Sequence, residues 1–462
     1  MRTTAFRVIL IASTILAIEG LSWVSLVILD RWKDIRYPGD FRLSKWQSQR
    51  ISEAALGHAW NRRFDADLGW TMTEGFNKRG QTTNAAGMCS AREYALEKPE
   101  GVLRIAAFGE SNTEAADVTT EESWPTIIEA RARDCEVLNF AVGGYGPDQC
   151  WLRYQRDGKR FKPDIVLICY MTENINRVVS VFRPFYTGGQ DLPFTKPYFR
   201  RAGDSLRLMP NPIRQARDLP RLNDPAFLQA LGRDDFWFHY RYGAPWIPPW
   251  ARANGCVRLG LTLAHHYRMQ VFDKWQPLMP KGRYNKDSYA YRVLWRVLTG
   301  FYREVESDGA LPLIFIQPAS SDVTRWRRNG TAPHEPLLED LRAAGLRFVD
   351  HLRELDDLGA AYTIEELFHG HPTPPGNALE AESVMRALLR LEWVDSVRVR
   401  DRPSSRSPHI SASSRPGDDF KCPRNGCGQT AGEPRERIWR GALGNSHDPS
   451  PVGSRGLGDT DG

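Results

Sequence analysis

The sequence predicts an α/β protein built on a parallel sheet and carried behind one transmembrane helix. Three observations predict it. Short apolar runs recur, each closed by a turn and followed by helical spacing, as in a sheet buried on both faces. The N-terminus is a long, nearly uncharged apolar stretch. The composition, 41% hydrophobic and 26% charged over 462 residues, is that of a chain with a substantial core. The net charge of +6 is scattered, with no recognition helix, zinc-finger spacing or aromatic–basic motif, so nucleic acid is not an expected partner.

In chain order, Val8 to Leu29 comes first. This run of about 22 apolar residues is long enough to cross a bilayer as a helix. Arg2 and Arg7 precede it, and the positive-inside bias keeps that end in the cytoplasm. No A-x-A cleavage site is evident, so residues 1–32 read as an uncleaved signal anchor, with cleavage nearby as the alternative. The rest of the chain is expected on the periplasmic or extracellular side of the cell membrane. Glu19 interrupts the apolar run; an acid at that depth faces a partner or is protonated. Residues 33–102 read as a membrane-proximal lead-in, with helical spacing from Ile51 to Trp60 and short strands around Phe64 to Trp70.

The main domain is expected over 103–395. Leu103 to Phe108 is a strand ending in Gly109-Glu110-Ser111-Asn112-Thr113. Ser111 stands there at the rim where open α/β sheets bind ligands; alternatively Ser111 or Asn112 only caps a helix. Trp124-Pro125 opens a helix. Glu136 to Val142 is the second strand and ends in Gly143-Gly144-Tyr145-Gly146. Pro163 to Tyr170 is the third, followed by Thr172-Glu173-Asn174. Residues 184–300, rich in Pro, Arg and aromatics, read as an insertion: interior packing, or walls for sugar rings or acyl chains. Leu311 to Pro318 and Leu346 to Asp350 resume the sheet, and Phe368-His369-Gly370-His371-Pro372 precedes a last helix. Residues 396–462 have few aliphatics and no sustained period, as in a disordered tail.

The seven cysteines make no disulfide framework. Cys150 and Cys169 read as packed thiols, and Cys422 with Cys427 lack a second pair for zinc. His239, His265 and His266 read as packing or surface residues, and His334 and His351 have no partner in sequence.

Ser111, the Gly143-Gly144 turn, Asn174 and His371 supply the parts of acyl transfer. A serine needs a base, and His371 can take and return the proton. The N–H groups of Ser111 and Gly144 and the Asn174 amide can hold an oxyanion. Glycine at 144 lets the backbone approach a substrate closely.

Gly-Glu-Ser-Asn-Thr, Asn-x-Ala-x-Gly-Gly-Tyr-Gly, Thr-Glu-Asn and His-Pro-Thr-Pro-x-Gly-Asn, in that order, resemble the SGNH (GDSL-type) hydrolase superfamily. The lead-in resembles that of its exported, membrane-anchored bacterial members. The resemblance implies a flavodoxin-like three-layer α/β/α sandwich, with Ser111, Gly144, Asn174 and His371 as the four block residues. It implies an ester hydrolase acting through an acyl-enzyme, on acylated glycans of the envelope or small esters, without metal or organic cofactor. An O-acyltransferase acting on a saccharide, or a catalytically weakened envelope-binding protein, is the competing reading. Two departures stand out. Glu110 replaces the usual Asp, keeping the charge on a longer arm. The family's acid, two or three residues before the histidine, is replaced by Phe368 and His369. Glu365 or Glu366, or a backbone carbonyl, is left to orient His371.

Overall fold

Five parallel strands form the central sheet. They are β1 (Leu103–Phe108), β2 (Cys135–Asn139), β3 (Ile165–Met171), β4 (Leu311–Gln317) and β5 (Phe348–Asp350). Their order is β2-β1-β3-β4-β5, the doubly wound flavodoxin-like arrangement. The structure, a computed structural model, describes residues 2–393 apart from 34, 39, 188–191, 204, 244–247 and 272–276. The expected tail at 396–462, with Cys422 and Cys427, and the aromatic run at 244–247 lie outside the described residues.

Alternation along each strand sends side chains to two cores. Ala106 and Phe108, Val166 and Ile168, and Ile314 and Ile316 face one. Ile105 and Ala107, Leu167 and Cys169, and Leu313 and Phe315 face the other. Ordering the helices by chain, α1 (Arg2–Lys33) precedes the sheet, and α2 (Trp124–Arg131) and α3 (Pro147–Arg153) come after β1 and β2. Next come α4 (Gly255–Val271), α5 (Tyr289–Ser307), α6 (Glu335–Ala343), α7 (His351–Leu358) and α8 (Pro374–Arg390). Leu294, Val297, Leu298 and Phe301 of α5 and Leu337, Leu338 and Leu341 of α6 close the first core. Trp124 and Ile128 of α2 and Val384, Met385 and Leu388 of α8 close the second. The result is the three-layer sandwich.

The route from β3 to β4 is long, and its final helix, α5, packs against both strands. Before it, aromatic residues are mostly interior. Trp237 is fully buried and its indole N–H donates to the Asn176 carbonyl at 2.8 Å. Trp250 and Tyr267 are the contrasts, 74% and 64% exposed.

Among the described residues one helix, α1, is long and apolar enough to cross a membrane. In the lead-in, the helix occupies Lys45–Ala55 and stops short of Trp60. A capping box formed by Ser44 and Gln47 starts it earlier than the apolar spacing alone suggests. Cys89, Cys135, Cys150 and Cys169 are free and buried, and burial pushes the Cys150 and Cys169 thiols up. His334 and His351, partnerless in sequence, are buried with partners: His334 Nε2 lies 3.0 Å from Asp350 and His351 Nδ1 lies 2.8 Å from the Ser383 hydroxyl.

Candidate active site

The carboxyl ends of β1 and β3 flank the point where strand order reverses, the position at which such sheets hold ligands. β1 ends at Phe108, and the chain turns into a single helical turn, Ser111–Glu114. The cap of that turn is Glu110, neither Ser111 nor Asn112. Its carboxylate accepts the Asn112 N–H at 3.2 Å, leaving the Ser111 hydroxyl for other partners.

Those partners are two. Ser111 Oγ lies 2.9 Å from His371 Nε2 and 2.8 Å from Glu110 Oε2. The longer arm of Glu110 thus reaches the hydroxyl itself. A hydroxyl has one proton, so a histidine and a fully buried carboxylate compete for it.

His371 sits in a two-by-two-residue hairpin, Phe368–His369 against His371–Pro372, turned at Gly370 with φ of +92°. Asn377 fixes this hairpin from α8. Its amide donates to the Pro372 carbonyl at 3.0 Å, and its oxygen accepts the Trp124 N–H of α2 at 3.1 Å. His369 pairs with His371 along the hairpin and is exposed.

The expected substitutes for the missing acid are elsewhere. Glu366 is exposed and occupied by its own helix start, accepting from the Thr363 N–H at 2.7 Å and hydroxyl at 2.9 Å. Glu365 is exposed as well. The carboxylate that meets His371 is Asp117, whose Oδ2 lies 2.7 Å from Nδ1. A carboxylate at neutral pH only accepts, so Nδ1 carries the proton and Nε2 is free to accept from Ser111. Asp117 comes from the loop just after the Ser111 turn, where Ala115 adopts the left-handed conformation, φ of +61°, and redirects the chain. Sequence reasoning missed it because it sought an acid near the histidine. The available signal was an acid six residues after Ser111.

The electrostatics agree with this arrangement. Burial alone would lower the His371 pKa. The hydrogen bond and charge of Asp117, with the charges of Glu110 and Glu114, outweigh it, so the pKa stands above the ordinary imidazole value. The hydrogen bond from His371 in turn holds Asp117 below the usual carboxylate range.

Gly144 has φ of +87°, a conformation that favours glycine. A Cβ there would meet Arg183 and Trp70 at 3.3 Å. The turn is clamped on three sides: Trp70 Nε1 donates to the Gly143 carbonyl at 3.0 Å, Arg183 to the Gly144 carbonyl at 2.9 Å, and the Gly143 N–H to Glu114. Glu114 is in turn held by Arg62 at 2.7 Å. The lead-in therefore buttresses the glycine turn through Arg62 and Trp70. Asn174 lies in the 3₁₀ segment after β3 and is buried; among the described residues its side-chain oxygen has no hydrogen-bond partner. Arg177, one turn on, donates to the Tyr145 carbonyl at 2.8 Å and comes within 3.9 Å of Glu110. The three strand ends are thereby tied together. Among the described residues no group of three or more His, Cys, Asp or Glu is placed to hold a metal ion. A serine, an imidazole aimed at it and a carboxylate behind the imidazole form an array able to generate a nucleophile and return a proton.

No known family profile matches the sequence, and no curated protein matches it. Solved structures do. One is a member of the lipolytic protein G-D-S-L family from Veillonella parvula DSM 2008, 12% identical, with 63% of this chain and 100% of that one covered at a TM-score of 0.29. A GDSL-like lipase from Bacteroides thetaiotaomicron VPI-5482 is 10% identical, covering 64% and 92% at 0.31. A catalytic mutant of an acetylxylan esterase from Geobacillus stearothermophilus is 13% identical, covering 65% and 100% at 0.31.

Proposed function

We propose that this chain is a serine-dependent ester hydrolase held at the membrane by α1, with its sheet domain on the periplasmic or extracellular side. The observation that carries the proposal is the Ser111–His371–Asp117 chain, 2.9 and 2.7 Å long. Ser111 Oγ attacks the acyl carbonyl while His371 Nε2 takes its proton. Asp117 holds the tautomer and stabilises the imidazolium. The N–H groups of Ser111 and Gly144 and the Asn174 amide receive the oxyanion. His371 then protonates the departing alkoxide, and water, activated by the same imidazole, releases the acid and restores Ser111. Acyl esters of envelope glycans or small esters are the proposed substrates, on grounds of location and ester chemistry alone. The motive for a catalytically weakened protein, a histidine without a carboxylate, loses its force once Asp117 is in place.

Fluorophosphonate labelling of the full chain in detergent or membranes tests this reading. Wild type is expected to label and Ser111→Ala not to, with p-nitrophenyl acetate turnover lost in parallel. A folded wild type that neither labels nor turns over an aryl ester would overturn it.

A further inference from the structure

The apolar stretch of α1 contains an acid, and the structure gives that acid a specific partner. Glu19 accepts the backbone N–H of Gly255 and, at 3.3 Å, that of Cys256. It also accepts the Trp23 indole N–H at 3.0 Å. Gly255 and Cys256 are the first residues of α4, so the carboxylate meets backbone donors that a helix start leaves without intrahelical acceptors. Ser22 lies beside them, its Oγ 3.3 Å from Cys256 Sγ. A helix from the middle of the sheet domain thus begins against the middle of the apolar N-terminal helix.

Most of the other polar groups on the first half of α4 are also settled within the protein, the buried Arg258 Nε excepted. Arg258 pairs with Asp40, and its guanidinium lies over the rings of Tyr37, 4.4 Å from the centroid, and Trp23, 5.6 Å. The Thr262 hydroxyl donates to the Arg258 carbonyl at 2.8 Å. Internal satisfaction of this kind is what lipid demands of a segment and water does not. Gly260, Leu263, Ala264 and Tyr267 are exposed and fall at i, i+3, i+4 and i+7, one apolar stripe of the helix that exposed Arg268 ends at i+8. Leu263 is 47% and Tyr267 64% exposed. α4 packs along α1, on which Ile15, Leu16, Ile18 and Leu21 are exposed apolar side chains.

We infer that α4 enters the bilayer by its N-terminal end alongside α1, with Glu19 capping it inside the hydrocarbon region and the Gly260–Tyr267 stripe facing lipid. The occupant of that stripe is the bilayer, because α4 packs along α1 and begins at Glu19, midway along the apolar span. The sheet domain is then seated on the membrane at two points rather than hung from one. This rests on α1 crossing the membrane, and the test separates the two claims.

The test places a nitrobenzoxadiazole label at single introduced cysteines in the full chain carrying Cys256→Ser, Cys422→Ser and Cys427→Ser, whose four remaining cysteines are buried, reconstituted in phosphatidylcholine–phosphatidylglycerol liposomes. The labelled variants are Leu263→Cys, with Tyr267→Cys as the second position on the stripe. Leu16→Cys reports α1, and Tyr362→Cys, on the sheet domain, reports water. At 263 and 267 we expect quenching by acyl-chain spin-labelled lipid and protection from iodide, as at Leu16 and opposite to Tyr362. Iodide quenching at 263 and 267 equal to that at 362, with Leu16 still quenched by lipid, would overturn the insertion of α4 and leave the anchor standing. Iodide access at Leu16 as well would overturn both. Protection at 263 and 267 from iodide and lipid alike would mean that protein covers the stripe, which also overturns it.

Discussion

Asp117 accepts the Nδ1–H of His371 at 2.7 Å across 254 positions of sequence. The carboxylate that meets His371 is thus carried by the strand-end loop of Ser111, so one segment positions both ends of the proposed relay.

Removing that carboxylate tests its role directly. Asp117→Asn is expected to lower kcat by about 10²–10⁴, the upper end being the cost of the equivalent change in serine-protease triads. The lower end reflects the 52% exposure of the Asp117 side chain, which lets water partly replace it. Glu366→Gln should stay within about twofold of wild type, since surface changes away from such features are near neutral. Aryl-ester kinetics on the two variants checks both.

The pH profile carries a sign. His371 must be neutral to take the Ser111 proton, and its pKa is raised, with Asp117 and Glu110 among the causes. The acid limb of kcat/KM is therefore expected to have its midpoint above about 6.5, the ordinary imidazole value. Both Asp117→Asn and Glu110→Gln remove a negative charge that favours the imidazolium, so both should move that midpoint down. A limb that moves up in either variant contradicts the assignment.

The proposed oxyanion donors are separable from the proposed base. Asn174→Ala is expected to lower kcat by about 10²–10³ with little change in KM, the pattern of a group that acts in the transition state. Gly144→Ala meets both a positive φ and a 3.3 Å contact with Trp70 and Arg183. A displaced N–H of this kind costs about 10²-fold. Neither variant should lose fluorophosphonate labelling altogether, because Ser111 and His371 remain.

Acid stability has a different source. His351 is fully buried and its pKa is lowered to about 3 by that burial. The unfolded chain binds a proton there near pH 6.5, and the native chain does not until about pH 3. Stability is thus lost progressively as pH falls through that window, by up to about 1.4 kcal/mol per pH unit from this residue. Thermal unfolding between pH 7 and 4 should show a steeper fall in wild type than in His351→Gln.

The architecture, and the positions of most of the candidate site, were legible in the residues because both rest on local order. Strands such as Ile165–Met171 announce themselves by unbroken apolar runs, and the Ser111, Gly144, Asn174 and His371 positions each come after a strand or hairpin end that a turn residue marks. Three things were decided only by the fold. Asp117 carries no pattern in sequence, since an acid in a loop is ordinary until the hairpin of His371 is laid beside it. The length of the Glu110 side chain became meaningful only with the Ser111 hydroxyl 2.8 Å away. Glu19, an irregularity in an apolar helix, found its complement in the start of a helix 236 positions on. The physical reason is the same in each case. Periodicity and turn chemistry act over a few neighbouring residues, whereas an ion pair or a cap depends on a distance of about 3 Å that only the packed chain sets.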